Sequence, residues 1–232
     1  NSVSIINGMD EIGNVTVGSD PSAIAYDPAN GYMYVTNSNS NSVSIINGMD
    51  EIGNVTVGSD PSAIAYDPAN GYMYVTNSNS NSVSIINGMD EIGNVTVGTR
   101  PNAIAYNSVN GYIYVANSYS NTVSIINGMN DLKNIYVGLF PDGLAFYPNN
   151  GYVYVVNYES GTISIIGASY NITFYESGLV SGTLWYVNLS NKQSFSSANN
   201  TISFREPTGN YSYNIGTGNK MFNPYPAFST FN

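Results

Sequence analysis

The chain contains no cysteine and no histidine among its 232 residues. Without cysteine it has neither a disulfide framework nor a thiolate ligand. Without histidine it lacks the commonest general base and the usual zinc ligand, and a Ser-His-Asp triad cannot be built. These absences predict a protein that is not an enzyme, with no catalytic residues, no metal site and no cofactor.

Charged residues are also scarce, at 9% of the chain, and 15 acidic against 5 basic residues give a net charge of −10. Such a chain repels a phosphate backbone, so nucleic-acid binding is excluded. No apolar run approaches the eighteen or so residues that a membrane-spanning helix needs. The chain opens in mid-pattern at Asn1. We therefore expect a trimmed fragment whose targeting sequence lies upstream.

A forty-residue unit fills most of the chain: residues 41–80 repeat residues 1–40 letter for letter, and residues 81–120 and 121–160 repeat it with increasing drift. A period near 40 with several short strands per unit is typical of propellers. Alternating segments bounded by turn residues predict four strands in one unit. These are Ser42–Ile46, Asn54–Gly58, Ala63–Tyr66 and Tyr72–Asn77. Four antiparallel strands make one propeller blade.

A tetrapeptide at the end of each unit carries a family resemblance. Tyr34–Asn37 and Tyr74–Asn77 read Tyr-Val-Thr-Asn, and Tyr114–Asn117 and Tyr154–Asn157 depart from it modestly. Pro-Ser-Ala-Ile-Ala-Tyr-Asp-Pro lies upstream of this motif and Asn-Ser-Val-Ser-Ile-Ile downstream. Residues 1 to about 166 thus resemble the YVTN β-propeller repeat of archaeal and bacterial surface proteins. The resemblance implies a cell-surface or surface-layer setting, often a seven-bladed ring, and no catalytic residue set.

The number of blades is left open by the repeats. They begin in the third strand of a blade and end near Ile166, which gives about four blades. Upstream repeats are missing, four blades close on themselves, or the array stays an open arc. We favour missing repeats and a larger ring, because an open arc would expose blade faces. Self-association of separate chains would also close a propeller.

The period stops after residue 168, so we expect propeller repeats over residues 1–168 and a small β-sandwich over residues 169–232. The expected strands are Tyr170–Phe174, Gly182–Leu189, Thr201–Phe204 and Tyr211–Ile215. Ile172–Leu179 and the segment ending at Trp185 resemble an Ig-like module on surface proteins of thermoacidophilic archaea. The last strand of such a module is expected beyond Asn232. The predicted fold class is therefore all-β: four-stranded propeller blades followed by a sandwich.

Seven Asn-X-Ser/Thr triplets are candidate glycosylation sites. They begin at Asn14, Asn54, Asn94, Asn171, Asn188, Asn199 and Asn210. A chain rich in Asn, Ser and Thr contains this triplet by chance, but the set fits a glycosylated external surface. The acidic pairs at Asp10, Asp50 and Asp90 are expected in loops, where solvated carboxylates are favoured over weak Ca²⁺ binding.

Three residues are candidates for contacts with a partner. Arg100 stands where the first two units have Asp20 and Asp60, and Lys133 occurs only in the fourth unit. Such departures indicate either a ligand site at one end of the array or ordinary drift. Trp185 is either a platform for stacking sugars or, as we favour, the core anchor of the sandwich.

The repeat and the triplets favour an extracellular, non-enzymatic surface protein that acts as a structural, adhesive or interaction module through its propeller loops. The expected partners are surface glycans or other surface proteins. The alternative is a propeller enzyme of the lactonase, dehydrogenase or glycosidase type. Without histidine, unique groups such as Arg100, Asp142 or Glu159 would have to carry its chemistry.

Overall fold

The computed structural model describes residues 1–167, 169–189, 193–207 and 213–217. The chain divides into two compact units, Asn1–Ile166 and Gly167–Asn232. Every regular element in the described residues is a β-strand. The described ranges accordingly hold no helix long and apolar enough to cross a membrane.

The first unit consists of antiparallel strands that follow one another along the chain. They are β1 Ser2–Asn7, β2 Asp10–Thr16, β3 Pro21–Asp27, β4 Tyr32–Asn37, β5 Ser42–Asn47, β6 Asp50–Thr56, β7 Pro61–Asp67, β8 Tyr72–Asn77, β9 Ser82–Asn87, β10 Asp90–Thr96, β11 Pro101–Asn107, β12 Tyr112–Asn117, β13 Thr122–Asn127, β14 Asn130–Tyr136, β15 Pro141–Tyr147, β16 Tyr152–Asn157 and β17 Thr162–Ile166.

These strands form five sheets in sequence order. A half-blade, β1–β2, precedes blade 1 (β3–β6), blade 2 (β7–β10), blade 3 (β11–β14) and the three-stranded blade 4 (β15–β17). Within each sheet, consecutive strands pair antiparallel and are joined by short turns. The predicted all-β fold with four-stranded propeller blades is confirmed.

The acidic pairs are placed differently from the prediction. Asp50 and Glu51 open strand β6 instead of lying in a loop, since the hairpin closes over only Gly48 and Met49, with Asn47 paired to Asp50. Gly48 supplies the positive φ of +62° that this tight turn needs. The same hairpin recurs before β2 and β10. The predicted loop position of the acidic pairs is wrong.

The blades fan out from their first strands. Strands β3, β7, β11 and β15 each contact the next one closely, whereas the outer strands β2, β6, β10 and β14 touch only lightly. The first strand of each blade, with its small Ala residues, therefore lies on the axial side. This arrangement is the geometry of propeller blades around an axis.

Apolar side chains between neighbouring blades make up the core. Val43 and Ile45 of blade 1 pack with Met73, Val75 and Ile86 of blade 2, and all five are almost fully buried. Equivalent clusters lie between blades 2 and 3 and between blades 3 and 4. Because blades 2 and 3 are covered on both faces, their strands have apolar residues on both sides.

The second unit contains two facing sheets. Its strands are β18 Ser169–Tyr175, β19 Trp185–Leu189, β20 Ser194–Ser197, β21 Thr201–Pro207 and β22 Tyr213–Thr217. One sheet pairs β18 with β21, and the other has the order β20-β19-β22. Trp185 and Val187 from one sheet pack against Ile202 and Phe204 from the other. This is the predicted small sandwich.

Candidate interaction surface at the connector end

One end of the blades carries two kinds of chain segment, the connectors between blades and the turns between second and third strands, and both differ between copies. The connectors 17–20, 57–60, 97–100 and 137–140 join each blade to the next at this end. The turns 38–41, 78–81, 118–121 and 158–161 lie at the same end, because they join the second strand of each blade to the third. We call this the connector end.

Side chains of neighbouring turns hold each connector in place. In the connector between blades 1 and 2, the Ser59 backbone N–H donates to Ser80 Oγ at 2.6 Å. The Asp60 N–H donates to Asn41 Oδ1 at 2.9 Å. The Asp60 carbonyl accepts from the Ser78 N–H at 2.9 Å. Each connector is therefore fixed to both blades that it joins, and its exposed side chains start from defined positions.

The last residue of each connector has a left-handed backbone. The φ angles are +55° at Asp20, +58° at Asp60, +55° at Arg100 and +52° at Phe140. Asp tolerates this region, whereas it is uncommon for long or bulky side chains. The Arg100 and Phe140 N–H groups keep the same hydrogen bond, to Asn81 and Asn121 Oδ1 at 2.8 Å each. Arg100 and Phe140 therefore adopt an energetically unfavourable backbone conformation at positions where the first two copies have Asp.

The connector ends of blades 3 and 4 carry a continuous row of cationic and aromatic side chains. The Arg100 guanidinium lies over the Tyr119 ring, with Cζ 4.9 Å from its centroid. The Tyr119 ring is 5.8 Å from Phe140, and Phe140 is 6.0 Å from Tyr158, in tilted and edge-on geometries. Tyr119 is 59% exposed and Tyr158 72% exposed. We call these four residues the connector-end row.

The equivalent part of blades 1 and 2 is polar. It forms an open cavity of about 410 Å³. Its walls are Asp20, Ser38, Asn39, Asn41, Ser59, Asp60 and Asn79. The polar surface of blades 1 and 2 and the connector-end row of blades 3 and 4 are therefore carried by the same backbone conformation.

The inner strands bring one further pair together near this end. Asn102 Nδ2 on β11 donates to the exposed Asp142 Oδ1 on β15. The first two units have Ser22 and Ser62 at these positions. Asn102 Oδ1 is buried and has no hydrogen-bond partner among the described residues.

The other two predicted contact residues lie elsewhere. Lys133 is exposed on the outer strand β14, away from the connector-end row. Trp185 is only 2% exposed and belongs to the sandwich core, where its Nε1 donates to the Asn199 carbonyl at 2.6 Å. Its buried ring leaves little surface on which a ligand could stack.

The predicted glycosylation sites differ in accessibility. Asn14, Asn54 and Asn94 are exposed on outer strands, and Asn199 is exposed in a turn of the second unit. The Asn54 Nδ2, to which a glycan would be attached, donates to Ser44 Oγ at 3.3 Å. Glycosylation at these positions stays a prediction.

Three further triplets lie in the second unit. Asn188 is half-buried on β19, and its Oδ1 accepts from Ser194 at 2.6 Å. Asn171 lies on strand β18, and Asn210 falls outside the described residues. Glycosylation at these three positions likewise stays a prediction.

Sequence reasoning identified Arg100 but missed Tyr119, Phe140 and Tyr158. The first two copies have Asn39 and Asn79, Asp20 and Asp60, and Ser38 and Ser78 at the equivalent positions. Comparing the units position by position for gains of aromatic residues would have found all three.

No protein-family model and no curated protein matches the chain. Solved structures do. A virginiamycin B lyase from Staphylococcus aureus is similar with a TM-score of 0.53 and 15% identity, over 82% of this chain and 71% of that chain. A putative 6-phosphogluconolactonase from Bacteroides fragilis is similar with a TM-score of 0.55 and 18% identity, over 62% of this chain and 49% of that chain. The WD40 β-propeller domain of Doa1 is similar with a TM-score of 0.58 and 11% identity, over 71% of this chain and 56% of that chain.

At these identities the likeness shows the β-propeller fold alone. This chain spans between 49% and 71% of the length of the three structures. The comparison corrects one prediction. The prediction that the chain is not an enzyme is not upheld, because the same fold occurs in proteins named as a virginiamycin B lyase and a putative 6-phosphogluconolactonase.

Proposed function

We propose that the protein is an interaction module displayed outside the cell, and that its connector end binds glycans or proteins of a cell surface. The connector-end row carries this proposal. Tyr and Arg are the side chains that most often dominate binding energy at interfaces. Here Arg100, Tyr119 and Tyr158 are exposed along one row, on positions that the first two copies fill with Asp, Asn and Ser.

The rigid support of the row favours binding. Hydrogen bonds from the Arg100 and Phe140 N–H groups to Asn81 and Asn121 Oδ1 fix the connectors that carry the row. A preorganised surface loses less conformational entropy when a partner docks. The neighbouring polar cavity offers hydroxyl and amide groups that suit hydrogen bonding to sugars or to a peptide backbone.

Three sequence features support the external setting. The repeats resemble the YVTN repeats of archaeal and bacterial surface proteins, and the second unit resembles an Ig-like module of archaeal surface proteins. The candidate glycosylation triplets and the low charge fit the same setting. We propose accordingly that residues 1–168 act as blades of a larger propeller and that the sandwich joins them to other surface material.

The test compares binding of the intact chain to a glycan array and to isolated archaeal surface-layer sheets. The Tyr119→Asn/Tyr158→Ser variant restores the residues of the earlier copies and is expected to bind at least about tenfold more weakly, which corresponds to 1.4 kcal/mol. The exposed Tyr175→Ser in the second unit is the matched control and should bind like the wild type. Equal binding by both variants, or none by the wild type, contradicts the proposal.

A second candidate function is catalysis on a small molecule near the same end of the inner strands. The Asn102–Asp142 pair favours it, since a carboxylate held by an amide can act as a general base. Lactone and glycoside substrates should then be turned over, and Asp142→Asn should abolish turnover without changing the far-UV circular dichroism. Turnover that survives Asp142→Asn would exclude this pair.

A further inference from the structure

The dipeptide Asn-Gly occurs eight times in the first unit, at two places in the blade. Four of its asparagines are the last residues of strands β1, β5, β9 and β13, where a hairpin leads to the next strand: Asn7, Asn47, Asn87 and Asn127. The other four lie in the turn that joins the first and second strands of each blade: Asn30, Asn70, Asn110 and Asn150. We call the two sets the hairpin asparagines and the turn asparagines.

Asparagine followed by glycine can lose its side-chain amide without an enzyme, because glycine has no side chain to obstruct the reaction. The glycine backbone nitrogen attacks the asparagine Cγ and forms a five-membered succinimide ring. The Cγ–Nδ2 bond breaks, and Nδ2 leaves as ammonia with the proton of the backbone N–H. Water then opens the ring at one of its two carbonyls and leaves aspartate or isoaspartate. The reaction therefore needs a backbone nitrogen and a side-chain amide that are free to approach each other.

Hydrogen bonds hold both reacting groups of a turn asparagine. In the turn of blade 2, the Gly71 N–H donates to the Asp67 carbonyl at 2.8 Å. The Asn70 Nδ2 donates to the Tyr74 hydroxyl at 2.9 Å, and the Asn70 Oδ1 accepts from the Tyr72 N–H at 2.9 Å. The side chain must therefore release two hydrogen bonds, and the attacking nitrogen a third, before the ring can close.

The other three blades repeat this arrangement. In each of them the asparagine Nδ2 donates to the hydroxyl of the tyrosine four positions further on, at 2.9 Å. The asparagine Oδ1 accepts from the N–H two positions further on, at 2.9–3.1 Å. The glycine N–H donates to the carbonyl four positions back, at 2.8–3.0 Å. The turn asparagines are therefore restrained in the same way in all four blades.

The hairpin asparagines have none of these restraints within the part of the chain that the structure describes. Asn87 is exposed, its side chain makes no hydrogen bond to a described residue, and neither does the Gly88 N–H. The same holds for the Asn127 side chain and the Gly128 N–H in the corresponding hairpin of blade 3. A Cβ added at either glycine would meet nothing within 4 Å, so water has room beside the reacting atoms.

Reaction at a hairpin asparagine would act on a contact between blades. The Gly88 carbonyl accepts a hydrogen bond from the Tyr34 hydroxyl of blade 1 at 3.0 Å. Isoaspartate in place of Asn87 would lengthen the main chain by one carbon directly before Gly88 and so displace this carbonyl. Asn87 also pairs with Asp90, which Glu91 follows, so a new carboxylate joins two existing ones. Like charges that face each other across a strand pair are destabilising.

We propose that the hairpin asparagines are sites of spontaneous deamidation in water and that the fold protects the turn asparagines. Each event adds one negative charge to the end of the blades opposite the connector end, and it changes a hairpin that the preceding blade contacts. The modification accumulates with the age of the protein and is independent of what binds at the connector end.

The test is incubation of the folded protein at mildly alkaline pH, followed by cleavage after glutamate and tandem mass spectrometry. The peptide 92–159 contains the hairpin asparagine Asn127 together with the turn asparagines Asn110 and Asn150. Asn127 should deamidate at least about tenfold faster than either of the other two, because it has no side-chain hydrogen bonds to break first. Equal rates in the folded protein would overturn the proposal.

The unfolded chain is the control that separates the effect of the fold from that of the sequence. In guanidinium chloride the three asparagines should react at similar rates, since each is followed by glycine. A difference that persists in the unfolded chain would also overturn the proposal, because the fold would not be its cause.

A single hydroxyl tests the protection of a turn asparagine. Tyr114→Phe removes the group to which Asn110 Nδ2 donates. Deamidation of Asn110 should then become at least about twofold faster, while Asn150 in the same peptide keeps its wild-type rate. An unchanged rate at Asn110 contradicts protection by hydrogen bonds. If Tyr114→Phe fails to fold, Tyr154→Phe serves in its place, with Asn150 as the responding residue and Asn110 as the reference.

Discussion

The Asn77 side chain lies against the backbone of Gly58, where an added Cβ would stand only 2.7 Å from Asn77 Cγ and Nδ2. Gly58 belongs to the connector between blades 1 and 2, and Asn77 ends the second strand of blade 2. Asn77 is fully buried, and its Nδ2 donates to Ser82 and Ser84 at 3.1 and 2.9 Å. The last residue of the Tyr-Val-Thr-Asn motif thus places the connector on the blade that follows it.

This close approach predicts the effect of adding one methyl group. Gly58→Ala should lower the free energy of unfolding by about 1–3 kcal/mol, because the neighbouring amide is held by two hydrogen bonds and cannot move aside. Gly53→Ala is the matched control, since its Cβ would make only ordinary van der Waals contacts, at 3.5 Å from Met89 Sδ and 3.8 Å from Ile45 Cδ1. Urea unfolding measures both. Equal losses in the two variants would contradict the account.

A buried carboxylate and a phenol pair across blades. Asp67 on blade 2 is 3% exposed, and it accepts a hydrogen bond from the hydroxyl of Tyr106 on blade 3. Burial of the phenol, together with the negative charge of Asp67, raises the pKa of Tyr106. At the next interface the equivalent residues are Asn107 and Phe146. The two positions change together, which is expected of two residues that satisfy each other's hydrogen-bonding groups.

Substitution of this pair should therefore be non-additive. Tyr106→Phe removes a partner from a buried carboxylate and should cost about 1–3 kcal/mol. Adding Asp67→Asn recreates the chemistry of Asn107 and Phe146, and should recover at least about 0.5 kcal/mol in a double-mutant cycle. Chemical unfolding of the two single variants and the double variant measures the coupling energy. Strict additivity would contradict the pairing.

Alkaline pH should weaken the blade contacts. Burial, partly offset by the hydrogen bond from Asn70, raises the pKa of Tyr74 above its ordinary value of 10.0. The folded state therefore favours the neutral phenol. Its contribution to stability is fully present below pH 10 and is lost as the pH rises through the raised pKa.

The measurement is the melting temperature of the wild type and of Tyr74→Phe between pH 8 and about 12. The wild type should lose stability more steeply than Tyr74→Phe above pH 10. Tyr175→Phe, at a position 78% exposed, should follow the wild type. Parallel curves for all three proteins would contradict the assignment.

Local sequence determined most of the fold. The repeat and the Asn-Gly turns predicted the four strands of each blade, because turn chemistry acts over two to five residues. Asp50 and Glu51 escaped this reasoning, since strand β6 begins directly after a two-residue hairpin and accommodates a bulge near Ile46. Acidic side chains on that exposed outer strand lack the alternating apolar pattern on which strand prediction depends.

The candidate surface was only partly predictable. Arg100 was visible as a departure from Asp20 and Asp60, but its ring partner Tyr119 lies nineteen positions further on. Tyr119 meets Phe140 only because blades 3 and 4 pack side by side. Contacts of this kind depend on the angle between blades, which no local pattern encodes.

The identical copies in this chain allow a direct test of the central claim, that the connector-end row is the binding surface. Arg100→Asp, Tyr119→Asn, Phe140→Asp and Tyr158→Ser together restore the residues of the first copies. Asp20→Arg, Asn39→Tyr, Asp60→Phe and Ser78→Tyr then place the row on blades 1 and 2 of that same variant. Both changes use side chains that this backbone already carries at equivalent positions.

The measurement is binding of the wild type, the restored variant and the transplanted variant to whichever glycan or surface-layer preparation the wild type recognises. The account predicts that the restored variant loses binding by at least about tenfold and that the transplanted variant regains it. Undiminished binding by the restored variant would contradict the account.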